Sequence, residues 1–281
     1  MPTQVQEKTI LPKQTLNNHP GNSPEKRKGQ NMNSAKTTQT KSFFARGLKP
    51  ALLASAILLL AAALPALAGE GNAGNPGILP PQSHAYGKTY AEWSVKYCQW
   101  VTSLPATNSP ILDTGDCSAG QSGPVWFLAG AFVGTTNTRS CTIPAGVALF
   151  FPIANGWADD TDCPSYDTFS VEQLVGFASG FPDSASGMSC TIDGVPVKGL
   201  EDSITSPYRV GPQVFSYTLA STDNILANHF GLACIPNGIT VAGAAEDGVY
   251  LLLAPLSAGQ HTIHCTIESC HLDITYHLTV N

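Results

Sequence analysis

Basic residues are scarce once the first fifty positions are passed. Only Lys88, Lys96, Arg139, Lys198 and Arg209 follow, against 18 acidic residues, so the part from residue 69 onward carries a net charge of −13 where the whole chain carries −6. Such a surface repels phosphate backbones and excludes nucleic acid as a partner, while it attracts cations. No cysteine precedes Cys98, and no two are spaced C-x-x-C, which argues against a zinc knuckle or a thioredoxin-type redox site. No N-x-[ST] sequon follows the leader. Gly87-Lys88-Thr89 imitates the end of a phosphate-binding loop, but that loop needs a glycine where Gln82 stands. There is no G-x-S-x-G elbow and no H-E-x-x-H motif. His261 and His264 read as strand residues whose rings point to opposite faces.

What is present begins with a leader. Residues 1–50 are basic, polar and without apolar periodicity, and 51–68 are apolar throughout and end in Ala66-Leu67-Ala68. A charged stretch, an apolar stretch and a small-residue A-x-A site make a secretory signal peptide. The run would just span a bilayer, which takes about 17–25 residues. Pro65 and the A-x-A site favour cleavage instead, leaving no membrane contact. Met32 offers a shorter start, and the Lys28-Gly29 codons make a purine run suited to a ribosome-binding site. Residues 1–31 are therefore expected not to be translated.

All eight cysteines lie in the exported part, which predicts disulfides in an oxidising compartment, secreted or periplasmic. Cys117 and Cys141 flank what reads as one β-hairpin and are expected to bond; Cys163 with Cys190 is the second pairing proposed. Cys98 would pin a helix to the body.

Residues 69–85 read as an extended arm and 86–281 as one domain. Thr89 and Glu92 form a capping box, followed by an apolar stripe of Tyr90, Trp93, Tyr97, Trp100 and Val101. Ser170 and Gln173 start a second short helix with Val171, Leu174, Val175 and Ala178 buried and Gly180 ending it. Short apolar runs between Gly and Pro turns read as strands: Val125–Phe132, Arg139–Ile143, Val147–Ile153, Val214–Leu219 and Val249–Leu253. Asp193-Gly194 signals a type I′ hairpin. The last hairpin, 261–267 with 271–280, pairs Cys265 with Leu272 and Ile263 with Ile274 if the turn centres on Glu268-Ser269. The fold class expected is mainly β: a single disulfide-stapled β-sandwich, jelly-roll-like or immunoglobulin-like, with two short peripheral α-helices.

Two clusters are candidates for chemistry. Asp159, Asp160, Asp162 and Asp167 crowd hard oxygen ligands on one stretch, which suits Ca²⁺, the one cofactor suggested; EF-hand spacing is missing, and a solvated acidic loop held by Cys163 is the plainer reading. His264, His271 and Asp273 would share the outer face of the last hairpin, two imidazoles and a carboxylate as in a transition-metal site; a solvated polar face with a His–Asp pair is the plainer reading.

The segments PQSHAYGKTYAEW (81–93), GQSGPVWFLAG (120–130), ALFFPIAN (148–155), AGQHTIH and LDITYHLTV resemble a family of uncharacterised secreted bacterial proteins. The resemblance implies export and a shared fold, and transfers no site. The function expected is therefore that of a secreted, disulfide-stabilised binding or structural protein of the cell envelope or extracellular space, with an unidentified ligand there. The alternatives are an envelope or extracellular hydrolase acting on carbohydrate, metal-dependent or not, and a calcium-stabilised adhesion module. Catalytic carboxylates need not be close in sequence, so the hydrolase is compatible with the chain.

Overall fold

The computed structural model describes residues 75–161 and 168–281, all within one unit, Ala63–Asn281. The expected signal segment 51–68 lies outside them, and among the described residues no helix is long and apolar enough to cross a membrane. The described chain is mainly β, with two sheets and three α-helices.

The first helix, α1 (Tyr90–Ser103), starts where its capping box dictates. Thr89 Oγ1 accepts from the Glu92 N–H at 3.1 Å, and Glu92 Oε2 accepts from the Thr89 N–H at 2.7 Å. Its aromatic stripe is buried, as expected, and Cys98 is buried too, as a free thiol that pins nothing. The described part of the arm that precedes α1, from residue 75, is docked onto the body. Ile78 is buried and bridges to Leu253, and Tyr90 OH donates to Leu79 O while accepting from Leu252 N–H.

Strands follow: β1 (Val125–Phe127), β2 (Thr136–Ile143) and β3 (Ala148–Asp160). After them come α2 (Val171–Ser184), β4 (Met188–Ile192), β5 (Val195–Pro196), β6 (Gln213–Thr218), α3 (Ile225–Asn228), β7 (Thr240–Leu253), β8 (Gly259–Ile267) and β9 (Leu272–Val280). One sheet has the order β1-β3-β7-β6 and the other β2-β9-β8-β4-β5. Each ends in a parallel edge strand, β1 on β3 and β2 on β9.

That topology corrects the expected first hairpin. Cys117 and Cys141 are bonded, but β1 and β2 belong to different sheets, so the connection between them crosses over instead of turning back. The bond links the segment preceding one edge strand to the edge strand of the other sheet. Two further corrections concern extent. The third strand runs on to Asp160, so Asp159 and Asp160 stand on a strand rather than a loop. Helix α2 passes through Gly180 and Pro182 before Ala185 caps it. Its buried side is Leu174, Ala178 and Pro182, four residues apart, while Val171 is exposed. The fourth concerns register. Cys265 faces Ile274 and Ile263 faces Tyr276, two residues away from the expected pairing, because the turn is a 3₁₀ segment, Glu268–Cys270, followed by left-handed His271. A slip of two preserves the faces, so every apolar residue of that hairpin still points inward. The Asp193-Gly194 turn has both residues at positive φ, as a type I′ turn demands.

The strand β7 is the spine. Alternation sends Glu246 and Tyr250 toward α1, where they meet Ser94 and the Tyr97 ring, and sends Ala245 and Asp247 toward α2, where they meet Ala178 and Ser179. The α2 contact depends on Gly156, since a Cβ there would run into the carbonyl oxygen of Ala178. Gly156→Ala should lower stability by about 3 kcal/mol, the upper range for overpacking against backbone. In thermal melts this is a fall of about 6–12 °C; a melting point within about 2 °C of the parent would show that α2 can simply lift off.

Candidate functional site

Where the described strands end, irregular chain takes over. A cavity of about 420 Å³ opens among three such segments, lined by Thr107, Asp113, Thr114, Phe132, Asn137, Asp223 and His229 with a few neighbours.

The first wall is two 3₁₀ turns, Ala106–Asn108 and Pro110–Leu112, ending at Asp113 in the left-handed region, φ 57°. Aspartate tolerates that region better than most residues. Thr114 Oγ1 ties the segment together, donating to Ala106 O and accepting from the Ser109 N–H. The second wall is the crossover between β1 and β2. Thr135 Oγ1 donates to Phe132 O, and Gly134 N–H donates to Cys270 O, which clamps the crossover onto the last hairpin. The third wall is α3, capped by Asn224 Oδ1 accepting from Ala227 N–H at 2.9 Å, with Asp223 before it at φ 51° and His229 after it. Asn224 bridges to Pro105, and Asp223 Oδ2 accepts from the Thr107 N–H at 2.7 Å, so the first and third walls are joined by backbone.

Two carboxylates face one cavity, and both are already held. Asp113 accepts from Arg139 Nε at 2.6 Å and from Asn137 Nδ2 at 2.7 Å. Arg139, mostly buried, also donates to Ala129 O, Gly130 O and Tyr276 OH through one nitrogen. The guanidinium is held above its usual pKa by Tyr276 and Asp113 although burial opposes this. The Asn137 Oδ1 atom is buried without a hydrogen-bond partner. The Phe132 and His229 rings stack, with centroids 5.2 Å apart and planes 19° apart. The result is one aromatic wall, two fixed acceptors and several hydroxyl and amide groups.

The residues singled out from sequence lie elsewhere. Asp162 and Asp167 are outside the described residues. Asp159 Oδ2 accepts from Tyr217 OH at 2.8 Å, and burial pushes its pKa up to about 6, a poor disposition for a calcium ligand. Asp160 Oδ2 accepts from the Phe169 N–H at 3.2 Å, fastening the start of α2. His264 pairs with Asp273 at 2.9 Å, reached diagonally across the strands, and His271 sits at the left-handed turn position. Among the described residues no three His, Cys, Asp or Glu side chains are grouped to hold a metal. Cys163, proposed to bond Cys190, is outside the described residues; Cys190 lies against Cys265, and Cys234 is disulfide-bonded.

Sequence reading missed Asp113, Asp223, Asn137, Phe132 and His229 altogether. The one signal on hand was the Asp223-Asn224 pair, cap-type residues before an apolar Ile225-Leu226. Compared with protein-family models, with curated proteins and with solved structures, the chain matches none of them.

Proposed function

We propose that this is an exported binding module of β-sandwich type that holds a small, uncharged, hydroxyl-rich ligand, such as a sugar unit, in the cavity beside Phe132 and His229. The observation that carries the reading is the cavity itself: an aromatic stack and two carboxylates on one concave surface. Sites for small molecules commonly pair an apolar wall with a few placed polar groups. Hydroxyl-rich rings supply the donors that Asp113 and Asp223 accept, and an apolar ring face to lie on the aromatic wall. Ionic attraction to a strongly charged ligand is less favoured, since Arg139 already neutralises Asp113.

The sandwich reading is supported by the single hydrophobic cluster to which both sheets contribute, Phe150, Leu251 and Val249 from one and Ile263, Ile274 and Leu278 from the other. Export is supported by the leader pattern and by the Cys117–Cys141 bond, a linkage typical of oxidising compartments. Both cavity carboxylates serve as hydrogen-bond acceptors in the fold, which suits positioning a ligand better than donating a proton to a leaving group. Binding is therefore preferred to hydrolysis.

The test is a thermal melt with a panel of neutral mono- and oligosaccharides. A sugar present at a hundredfold excess over its dissociation constant adds about 2.7 kcal/mol, a rise of about 5–10 °C. Asp223→Asn keeps an acceptor for Thr107 and removes the charge, so it should retain the parent melting point and lose most of the rise. A flat panel, or a rise untouched by Asp223→Asn, would remove the cavity from consideration as the binding site.

A further inference from the structure

We infer that Cys190 and Cys265 form a cross-strand disulfide in the exported protein, a second staple that joins β4 to β8 beneath the core face of the five-stranded sheet. The two residues are direct partners in the antiparallel pair, and their sulfurs lie 2.9 Å apart. The ladder parity identifies the kind of pair. Asp193 N–H donates to Thr262 O, and Glu268 N–H donates to Gly187 O, so the odd-numbered positions of this stretch of β4 exchange the backbone bonds. Cys190 and Cys265 therefore occupy a non-hydrogen-bonded pair. There the α-carbons of an antiparallel ladder approach to about 4.5 Å, with the side chains close together. That spacing falls inside the range a disulfide bridges, about 4.4–6.8 Å.

The surroundings favour closure. Both side chains point into the core, 1% and 4% exposed, flanked on the same face by Ile192, Ile263 and Ile267. The structure holds Cys190 and Cys265 as thiols, together with Cys98 and Cys270; their closure departs from the Cys163–Cys190 linkage that the sequence suggests and leaves Cys98, buried in α1, and Cys270 unpaired. In the reaction two S–H bonds break and one S–S bond forms. Two electrons and two protons pass to an oxidant that is itself a disulfide, a thiol oxidase of the export compartment or oxidised glutathione, which is reduced to two thiols. Burial makes the closed bond resistant to reductants that cannot enter the core, whereas formation belongs to folding, before the strand pair is covered.

The experiment uses the full chain in two preparations. From a secreting host, the protein is denatured with iodoacetamide and digested without reductant. A peptide joining Cys190 to Cys265 is the expected product, and finding Cys190 joined to Cys163, or both residues carbamidomethylated, would overturn the inference. From a reducing cytosol, the protein is refolded with oxidised glutathione. The parent should lose two more titratable thiols than the Cys190→Ala/Cys265→Ala variant does over the same period; equal losses would overturn it as well. The second arm does not depend on export, so its outcome separates the linkage from the proposed localisation.

Discussion

Replacing Arg209 by methionine should cost about 3–5 kcal/mol, the loss expected when one partner of a buried ion pair is removed and the other is stranded. The stranded partner is Asp247, 1% exposed on β7. Its two carboxylate oxygens accept from Arg209 Nε and a terminal nitrogen at 2.6 Å each, and Ser179 of α2 donates to one of them at 2.8 Å. Arg209 also reaches Asp183 on α2 at 2.7 Å. One guanidinium thus ties the loop before β6 to the spine strand and to the helix behind it, and its pKa is held up first by the Asp247 hydrogen bonds. Urea unfolding should show the loss as a lower midpoint with an unchanged slope. Asp183→Asn removes only the exposed half of the arrangement and should cost under about 1 kcal/mol. Adding Asp247→Leu to Arg209→Met should restore much of the loss, since no charge is then left buried. A loss below about 1 kcal/mol for Arg209→Met alone would mean that water reaches Asp247.

Glu246→Gln should stabilise the protein, and increasingly so as pH rises. Glu246 is fully buried beside Asp247 on β7, in contact with Ser94 of α1 and Tyr250 OH. Burial pushes its pKa up to about 7, against hydrogen bonds from Ser94 and Tyr250 that lower it. Ser94 Oγ also lies 2.8 Å from Ala91 O. A hydroxyl that spends its one proton on Ala91 can accept the proton of a neutral Glu246, so the geometry suits the protonated acid. A folded pKa raised above the unfolded value means that the favourable contribution is complete below about pH 4.5 and is lost as pH rises through about 7. Glutamine keeps a donor for Ser94 and an acceptor for Tyr250 without that penalty. The difference in stability between variant and parent should be small at pH 4, grow between about pH 4.5 and 7, and level off near 3 kcal/mol above it. A difference that does not change with pH would show that folding leaves the Glu246 pKa where it is in the unfolded chain.

Neither residue announces itself in the chain. Glu246-Asp247 stands among alanines and glycines with no local sign of burial, because the sequence does not show that α1 covers one face of β7 and α2 the other. The acidic run at Asp159 and Asp160 misleads for the same reason: strand β3 continues past Ile153, and one of the two carboxylates ends against Tyr217 while the other holds the entry to α2. The cavity is less legible still. Its walls come from positions 106–114, 132–137 and 223–229, segments with no periodicity, brought together by a crossover that local pattern reads as a hairpin.

What the sequence by itself determined is whatever rests on short-range physics. The capping boxes of Thr89 and Ser170 close over three residues, the Asp193-Gly194 turn needs two positive φ angles, and period-two alternation decides which face of β9 is buried. The Cys117–Cys141 bond is present as expected, although the hairpin on which that expectation rested is absent. Only the tertiary structure decided strand order, the two-residue shift of the last hairpin, the partner that Cys190 faces and the grouping of Asp113, Asp223, Asn137, Phe132 and His229. Those depend on contacts between residues tens to more than a hundred positions apart. Their free energy comes from burial shared among many side chains, which no local stretch of this chain encodes.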